Sequence, residues 1–446
     1  MTTTDSTAAT PASPDAGRVL GGVLELDAVD AGLRPQDDLF RYANGSWIDA
    51  AEIPADRPGT GSFTVLRDAA EEACHAILRD AAASQEAAQA HPTTPLGKIG
   101  ALFSTFMDED RIEALGAEPL APELSPVLEA SSKEALARAL GAGARFTGPI
   151  DAGVYNDIND PDRYTTWMDQ AGLGLPDESY YREESREALR TAYVAHVATM
   201  LGLAGLPERL GADAQELAER IMALETALAK GHWDRVACRD IEKTNNPMTW
   251  EQIVDSSPAF PWEAWREGVR AAAAAAGVEQ TTYLDETIVN QPDYLAHMAG
   301  CWSSASLEDL RAWACWHIAQ SRATLLSSDF VSASFDFYGK TLQGTDELRP
   351  RWKRGVGLVE LNLGEALGEI YVAEHFPPEH KAAMERLVAD LIEAYRGSIS
   401  TLEWMSPATR ERALAKLDQF TPKIGYPETW RDYSAVVITP GDLLAS

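Results

Sequence analysis

The chain has 446 residues, 45% hydrophobic and 24% charged, which is the balance of a soluble globular protein long enough for two lobes or one large helical domain. Its 38 Lys and Arg against 69 Asp and Glu give a net charge of −31, which repels phosphate backbones and anionic lipid and argues against nucleic acid as a partner. Cys74, Cys238, Cys301 and Cys315 form no Cys-x-x-Cys, so neither a disulfide framework nor a thiolate zinc site is indicated, and they are expected to be buried free thiols.

Residues 1–22 open with "MTTTDSTAATPASPDAG", a stretch with no large apolar residue after Met1, so they are expected to form a solvated, disordered tail. The tail has neither the basic start nor the apolar stretch of a secretory signal. No window approaches the roughly 18 apolar residues of a membrane span. A cytoplasmic location without membrane contact is the expectation. Helical spacing begins with Phe63, Leu66, Ala70, Cys74 and Ile77. It recurs in "QELAERIMALETALAK", where Leu217, Ile221, Leu224 and Leu228 share one stripe, and again in Met384, Leu387, Leu391 and Tyr395 after the start signal Pro377 and Pro378. "HPTTPLGK", "GLGLPDESYY" and "SSPAFPW" read as connections. Alternation of the strand type is scarce, so the fold is expected to be mainly α, with sheet only near the two ends. The final "KIGYPETWRDYSAVVITPGDLLAS" looks like the entry to a new element, with no closing cap.

The eight histidines supply no metallopeptidase motif, because none is followed by Glu, and His-Glu-x-x-His needs two imidazoles one helical turn apart with the Glu beside the bound water. The nearest approach, "EHFPPEH" from Glu374 to His380, is one residue longer than the inverted motif and is broken by Pro377 and Pro378. His232 with Asp234, and Cys315 with His317, stand two apart and point about 200° away from each other on a helix, so core or cap roles outweigh acid/base pairs. The basic knot "RPRWKRG" from Arg349 to Gly355 is either a clamp for an anionic group or, more often in so acidic a chain, an internal anchor.

Seven phrases in fixed order carry a resemblance. They are "RPQDDLFRYANGSWIDAAEIPADR" from Arg34, "GSFTVLRD" from Gly61, "FMDED" from Phe106, "DQAGLGLPDESYY" from Asp169, "RDIEKTNNPMTWEQI" from Arg239, "FYGKTLQGTDELRPRWKRGVGLVELNLGEALGEIYV" from Phe337 and "LEWMSPATRERALAKLDQFTPKIGYPETWRDYS" from Leu402. Together they resemble the amino-terminal two thirds of a neprilysin-like zinc metallopeptidase of the soluble bacterial oligopeptidase O type. The resemblance implies a large helical lid lobe of a two-lobed enzyme, with short segments at both ends belonging to a thermolysin-like catalytic lobe. Residues 23–55 would be an N-terminal segment associated with that catalytic lobe, 56–420 the lid and substrate chamber, and 421–446 the crossover.

The family's zinc helix, its third metal ligand and its substrate strand lie beyond the Gly-Tyr-Pro region, so the resemblance implies that zinc and every catalytic residue belong to the full-length parent. The chain itself would hold no catalytic or metal residue and would be inactive alone, its partners being peptide substrate and the missing C-terminal lobe. In the parent, zinc would polarise the scissile carbonyl and a glutamate would activate the bound water. One substrate contact has a matching position: Arg67 resembles an arginine that holds a substrate's terminal carboxylate, although the second arginine of that pair is replaced by Gly59. The alternative for Arg67 is a surface ion pair with Asp68 or Glu71. A non-catalytic peptide-binding or scaffold protein derived from the family is the other reading of the whole chain.

Overall fold

The computed structural model describes residues 29–143, 148–278 and 284–446, and the proposed tail lies outside them. The chain divides into two compact units, one ending at Val65 and the other running from Leu66 to Ser446. The first contains helix α1 (Leu39–Ala50), whose start is fixed by the Asp38 carboxylate accepting from the Arg41 amide at 2.8 Å. Helix α2 (Ser62–Ala82) begins at its end.

The second unit is helical, as the sequence predicts, and it has two apolar cores. Helix α3 (Pro95–Met107) starts with Thr94 as cap and Pro95 in its first turn, and it is apolar on nearly every side. It packs with the buried residues Cys74, Ile77 and Leu78 of α2, so the predicted stripe of α2 is buried at its C-terminal half, while Leu66 remains exposed. The larger core gathers helices α4 (Lys133–Ala142), α5 (Glu187–Leu203), α6 (Ala214–Ala229), α7 (Trp262–Ala275), α8 (Pro292–Ser304) and α9 (Leu307–Arg322). On α6 the predicted residues Leu217, Ile221, Leu224 and Leu228 are all buried. Helix α10 (Arg351–His375) returns to the first core through Val356, Val359, Leu363 and Leu367, with non-helical backbone at Leu363 beside Gly364. Helices α11 (Pro378–Thr401) and α12 (Pro407–Asp418) follow, and neither buries a single residue.

One expectation is corrected. Strands do not lie toward the chain ends: among the described residues the sheet is central in sequence, with β1 (Ile150–Asn156) antiparallel to β2 (Tyr164–Gln170), β2 parallel to β4 (Glu286–Val289), and β4 antiparallel to β3 (Pro247–Thr249). Met168 pairs with both Ala152 and Val289, so strands far apart in sequence meet at β2. Three to seven residues with little alternation give no strand signature, and the parallel pair depends on non-local closure.

The chain end packs on the helical body. Val436, Val437 and Ile438 form no strand; Ile438 is 2% exposed, and Tyr433, Val436 and Leu443 pack on the core of α2, α3 and α10. The buried Lys98 ammonium donates to the carbonyls of Tyr433 (2.6 Å) and Ser434 (3.1 Å). The Ser446 hydroxyl closes the last turn by donating to Asp442 O and accepting from the Thr439 amide.

Candidate functional site

Arg67 lies on α2, exposed, and its guanidinium makes no ion pair or hydrogen bond among the described residues. Glu71, one turn further on, is taken: it accepts from Arg349 at 2.6 and 2.9 Å, with Lys353 Nζ at 3.8 Å. That settles the basic knot as an internal anchor. Arg351 donates to Phe106 O at 2.9 and 2.6 Å with its guanidinium 4.6 Å above the Phe106 ring, and Arg354 donates to Arg349 O. Burial lowers the pKa of both Arg351 and Arg354. His75 stacks on Trp352 at 4.3 Å, and burial pushes the neighbouring Cys74 thiol up to about 11, aided by Glu360 and Glu71. The face is an anchored scaffold, and Arg67 stands beside it without a partner among the described residues.

The sequence-level pairs do not become acid/base pairs. His232 lies with Nε2 3.2 Å from Ala171 O, while the Asp234 carboxylate accepts from the amides of Val236 and Ala237 as a turn cap. Cys315 is buried and its thiol is pushed up to about 12 by that burial. His317 turns away from it, with Nε2 3.0 Å from Glu225 Oε1 but off the direction of a hydrogen bond. His375 ends α10, His380 lies beyond the two prolines in α11, and His375 Nε2 stands 3.8 Å from Glu374. Cys74 and Cys315 are buried, whereas Cys238 and Cys301 are half-buried, and all four are free thiols.

A buried polar network escaped the sequence reading. Glu225 of α6 is 0% exposed and accepts from the hydroxyls of Tyr181 (2.7 Å) and Tyr193 (3.0 and 2.8 Å). Burial first, and then the Glu225 charge, hold both phenols well above their ordinary pKa, so they remain donors. Tyr193 in turn accepts from Trp316 Nε1, and Tyr181 accepts from the amides of Gly174 and Leu175. The loop "AGLGLP" is pinned further along: Tyr294 donates to Ala171 O, Trp313 to Gly172 O and Tyr338 to Gly174 O, each within 3.1 Å. Two glycines are required here. Gly172 has φ +92°, and a Cβ on Gly174 would lie 1.9 Å from the Tyr193 hydroxyl. A signal existed in the sequence, since Glu225 stands four residues after Ile221 and three before Leu228, on the stripe that is buried.

The front of this loop bounds a cavity of about 490 Å3, whose other wall is residues 232–239. Gln170 of β2 clamps that wall by accepting from the Trp233 amide at 2.7 Å and donating to the Trp233 carbonyl at 3.0 Å.

Residues 35–427 match peptidase family M13. The zinc metalloprotease Zmp1 of Mycobacterium tuberculosis, solved with an inhibitor, is 42% identical with a TM-score of 0.84, the match covering 94% of this chain and 62% of that one. PepO from Lactobacillus rhamnosis, at 22% identity and a TM-score of 0.77 over 93% of this chain and 63% of that one, shares the fold. Human neprilysin is 26% identical over 431 residues, 90% of this chain and 55% of its own length. A neutral endopeptidase of Lactobacillus helveticus is 24% identical over 92% of this chain and 61% of its own. The chain spans about half to three fifths of the length of the curated relatives it matches.

Proposed function

The chain belongs to peptidase family M13, and from that premise we propose that it forms the helical, peptide-enclosing lobe of a zinc metalloendopeptidase whose metal is held by residues outside these 446. The donor set of the chain does not fit a catalytic zinc: among the described residues no group of three or more His, Cys, Asp or Glu side chains is placed to hold a metal, and such a site needs three fixed protein ligands. No catalytic step is therefore assigned to these residues. Residues 56–420 are assigned to the lid, and 23–55 and 421–446 to the segments that join it to the catalytic lobe. The substrates are peptides short enough to be enclosed, with folded proteins spared, and Arg67 is their carboxylate contact. The four free thiols suit a reducing compartment such as the cytoplasm.

The observation that carries this reading is the apolar stripe of α11. Met384, Leu387, Leu391 and Tyr395 follow helical spacing, yet they are 44–62% exposed, which is the pattern of a face made to be covered. The test compares the 446-residue chain with the same chain extended by the residues encoded downstream, by metal content after dialysis and cleavage of a quenched peptide. The extended protein should hold about one zinc and cut in a chelator-sensitive way, while the shorter chain does neither. Tightly held zinc with chelator-sensitive cleavage in the shorter chain overturns the reading.

A further inference from the structure

The cavity between residues 171–178 and 232–239 has both walls fixed from behind, one by the buried tyrosines and tryptophans and the other by the Gln170 clamp. A cavity whose backbone is already immobilised loses little order when it receives a ligand. Its lining combines apolar surface from Leu173, Pro176 and Trp233 with several charges. Nearly all of those charges are spent. Asp177 is paired with Arg235 at 3.2 Å, Glu178 is gripped by Arg182 at 2.6 and 3.2 Å, and Asp151 is engaged elsewhere. Burial drops the pKa of His232 to about 4, so it is neutral at pH 7.

Arg239 is the exception. It ends a short 3-10 turn (Ala237–Arg239), is exposed, and its guanidinium has no ion pair or hydrogen bond among the described residues. The adjacent Asp240 does not neutralise it, because that carboxylate caps the next turn through the amides of Glu242 and Lys243 and pairs with Lys243 Nζ at 3.3 Å. Carboxylates outnumber cations 69 to 38 in this chain, so an exposed arginine on the lining of this cavity that pairs with none among the described residues keeps its guanidinium available to a ligand anion. The planar fork favours a carboxylate, and the apolar wall beside it favours an aliphatic or aromatic side chain on the same ligand.

We propose that this cavity is a peptide subsite in which the Arg239 guanidinium grips a ligand carboxylate, from the chain terminus or an acidic side chain, while the apolar wall takes a neighbouring side chain. The inference rests on reading the chain as part of a peptidase, and it adds a second carboxylate contact to Arg67.

Calorimetric titration of the 446-residue chain with the unlabelled peptide Ala-Ala-Phe-Ala-Leu tests it, alongside the C-terminal amide and an amide carrying Glu in place of the fourth residue. A charge-assisted fork should make the free acid bind roughly tenfold tighter than the plain amide. If an acidic side chain is the preferred source, the Glu-bearing amide shows that gain instead. Arg239→Gln should abolish the preference without lowering the melting temperature, since the side chain is exposed, and Arg239→Lys should retain part of it. Equal binding of acid and amides, a preference that survives Arg239→Gln, or no binding by any peptide overturns the proposal. A preference that survives Arg239→Gln but is lost in Arg67→Gln sinks this subsite alone and leaves the peptidase reading standing. The zinc and cleavage comparison decides that reading independently.

Discussion

Replacing Glu225 by Ala tests whether the buried network holds the helical body together. The carboxylate is fully enclosed and is the acceptor for the hydroxyls of Tyr181 and Tyr193. Its removal leaves two buried donors without a partner, at about 1–3 kcal/mol each, and a void that adds roughly 1–2 kcal/mol. Against this stands the relief of a buried charge, so a net loss of about 4 kcal/mol is expected. At roughly 2 °C per kcal/mol in a large domain, the melting temperature should fall by about 8 °C. The loss should be non-additive with Tyr193→Phe, because that phenylalanine has no hydroxyl to orphan and the double variant recovers about 1–2 kcal/mol. Glu225→Gln keeps an acceptor of the same shape and should lose less than half as much. Melting followed by near-ultraviolet circular dichroism reads the parent and all four variants. A Glu225→Ala variant melting within about 2 °C of the parent would refute the reasoning.

Acid should destabilise the chain through His196 and His232, both of whose pKa values burial lowers to about 4. The unfolded imidazoles take up protons near 6.5 and the folded ones only near 4, so this stability is complete above pH 6.5 and is lost as pH falls from 6.5 to 4, at up to about 3 kcal/mol for each group. The slope of melting temperature between pH 7 and 5 should flatten in His232→Gln, and an unchanged slope would contradict the assignment. On α11, the pair Leu387→Glu and Leu391→Glu should reduce self-association of the 446-residue chain in sedimentation, with a melting shift under about 2 °C, because neither side chain is buried. A large melting drop would show that the stripe is already covered.

Helices were legible because their apolar spacing is local: the stripes on α6 and α11 can be read residue by residue, and the burial of Leu217 through Leu228 follows from 3.6-residue geometry. The sheet was not, because β3 has three residues and the partner of β2 arrives more than 100 positions later. The basic knot was correctly weighted toward an anchor, but its partner Glu71 lies 278 positions before Arg349, a pairing no local pattern encodes. The cavity stayed hidden for a different reason. "GLGLPDESYY" reads as a connection and is one up to Glu178, with Ser179–Arg182 forming a short helix, and what makes this loop a cavity wall is the hydroxyls behind it, contributed by helices whose sequences advertise only packing.

The placement of the uncovered apolar surface bears directly on how a catalytic lobe would seat. Of Trp430, Tyr433, Val436 and Val437 at the chain end, only Val437 is strongly exposed, and Lys98 spends its buried charge on the carbonyls of Tyr433 and Ser434. An ammonium 3% exposed is tolerated only with such partners, so residues 433 and 434 are part of what makes the α3 core stable. The bare face lies instead on α11, where the stripe from Met384 to Tyr395 has no cover. A lobe that seats there buries the stripe without disturbing the Lys98 anchor. Its docking would therefore add stability through mass action and leave the fold of the helical body unchanged. The same reasoning separates two classes of variant: Lys98→Met should lower the melting temperature of the 446-residue chain itself, whereas changes on the α11 stripe should leave that melting temperature nearly unchanged. If stripe changes alone unfolded the shorter chain, the division between a self-sufficient body and a waiting face would be wrong.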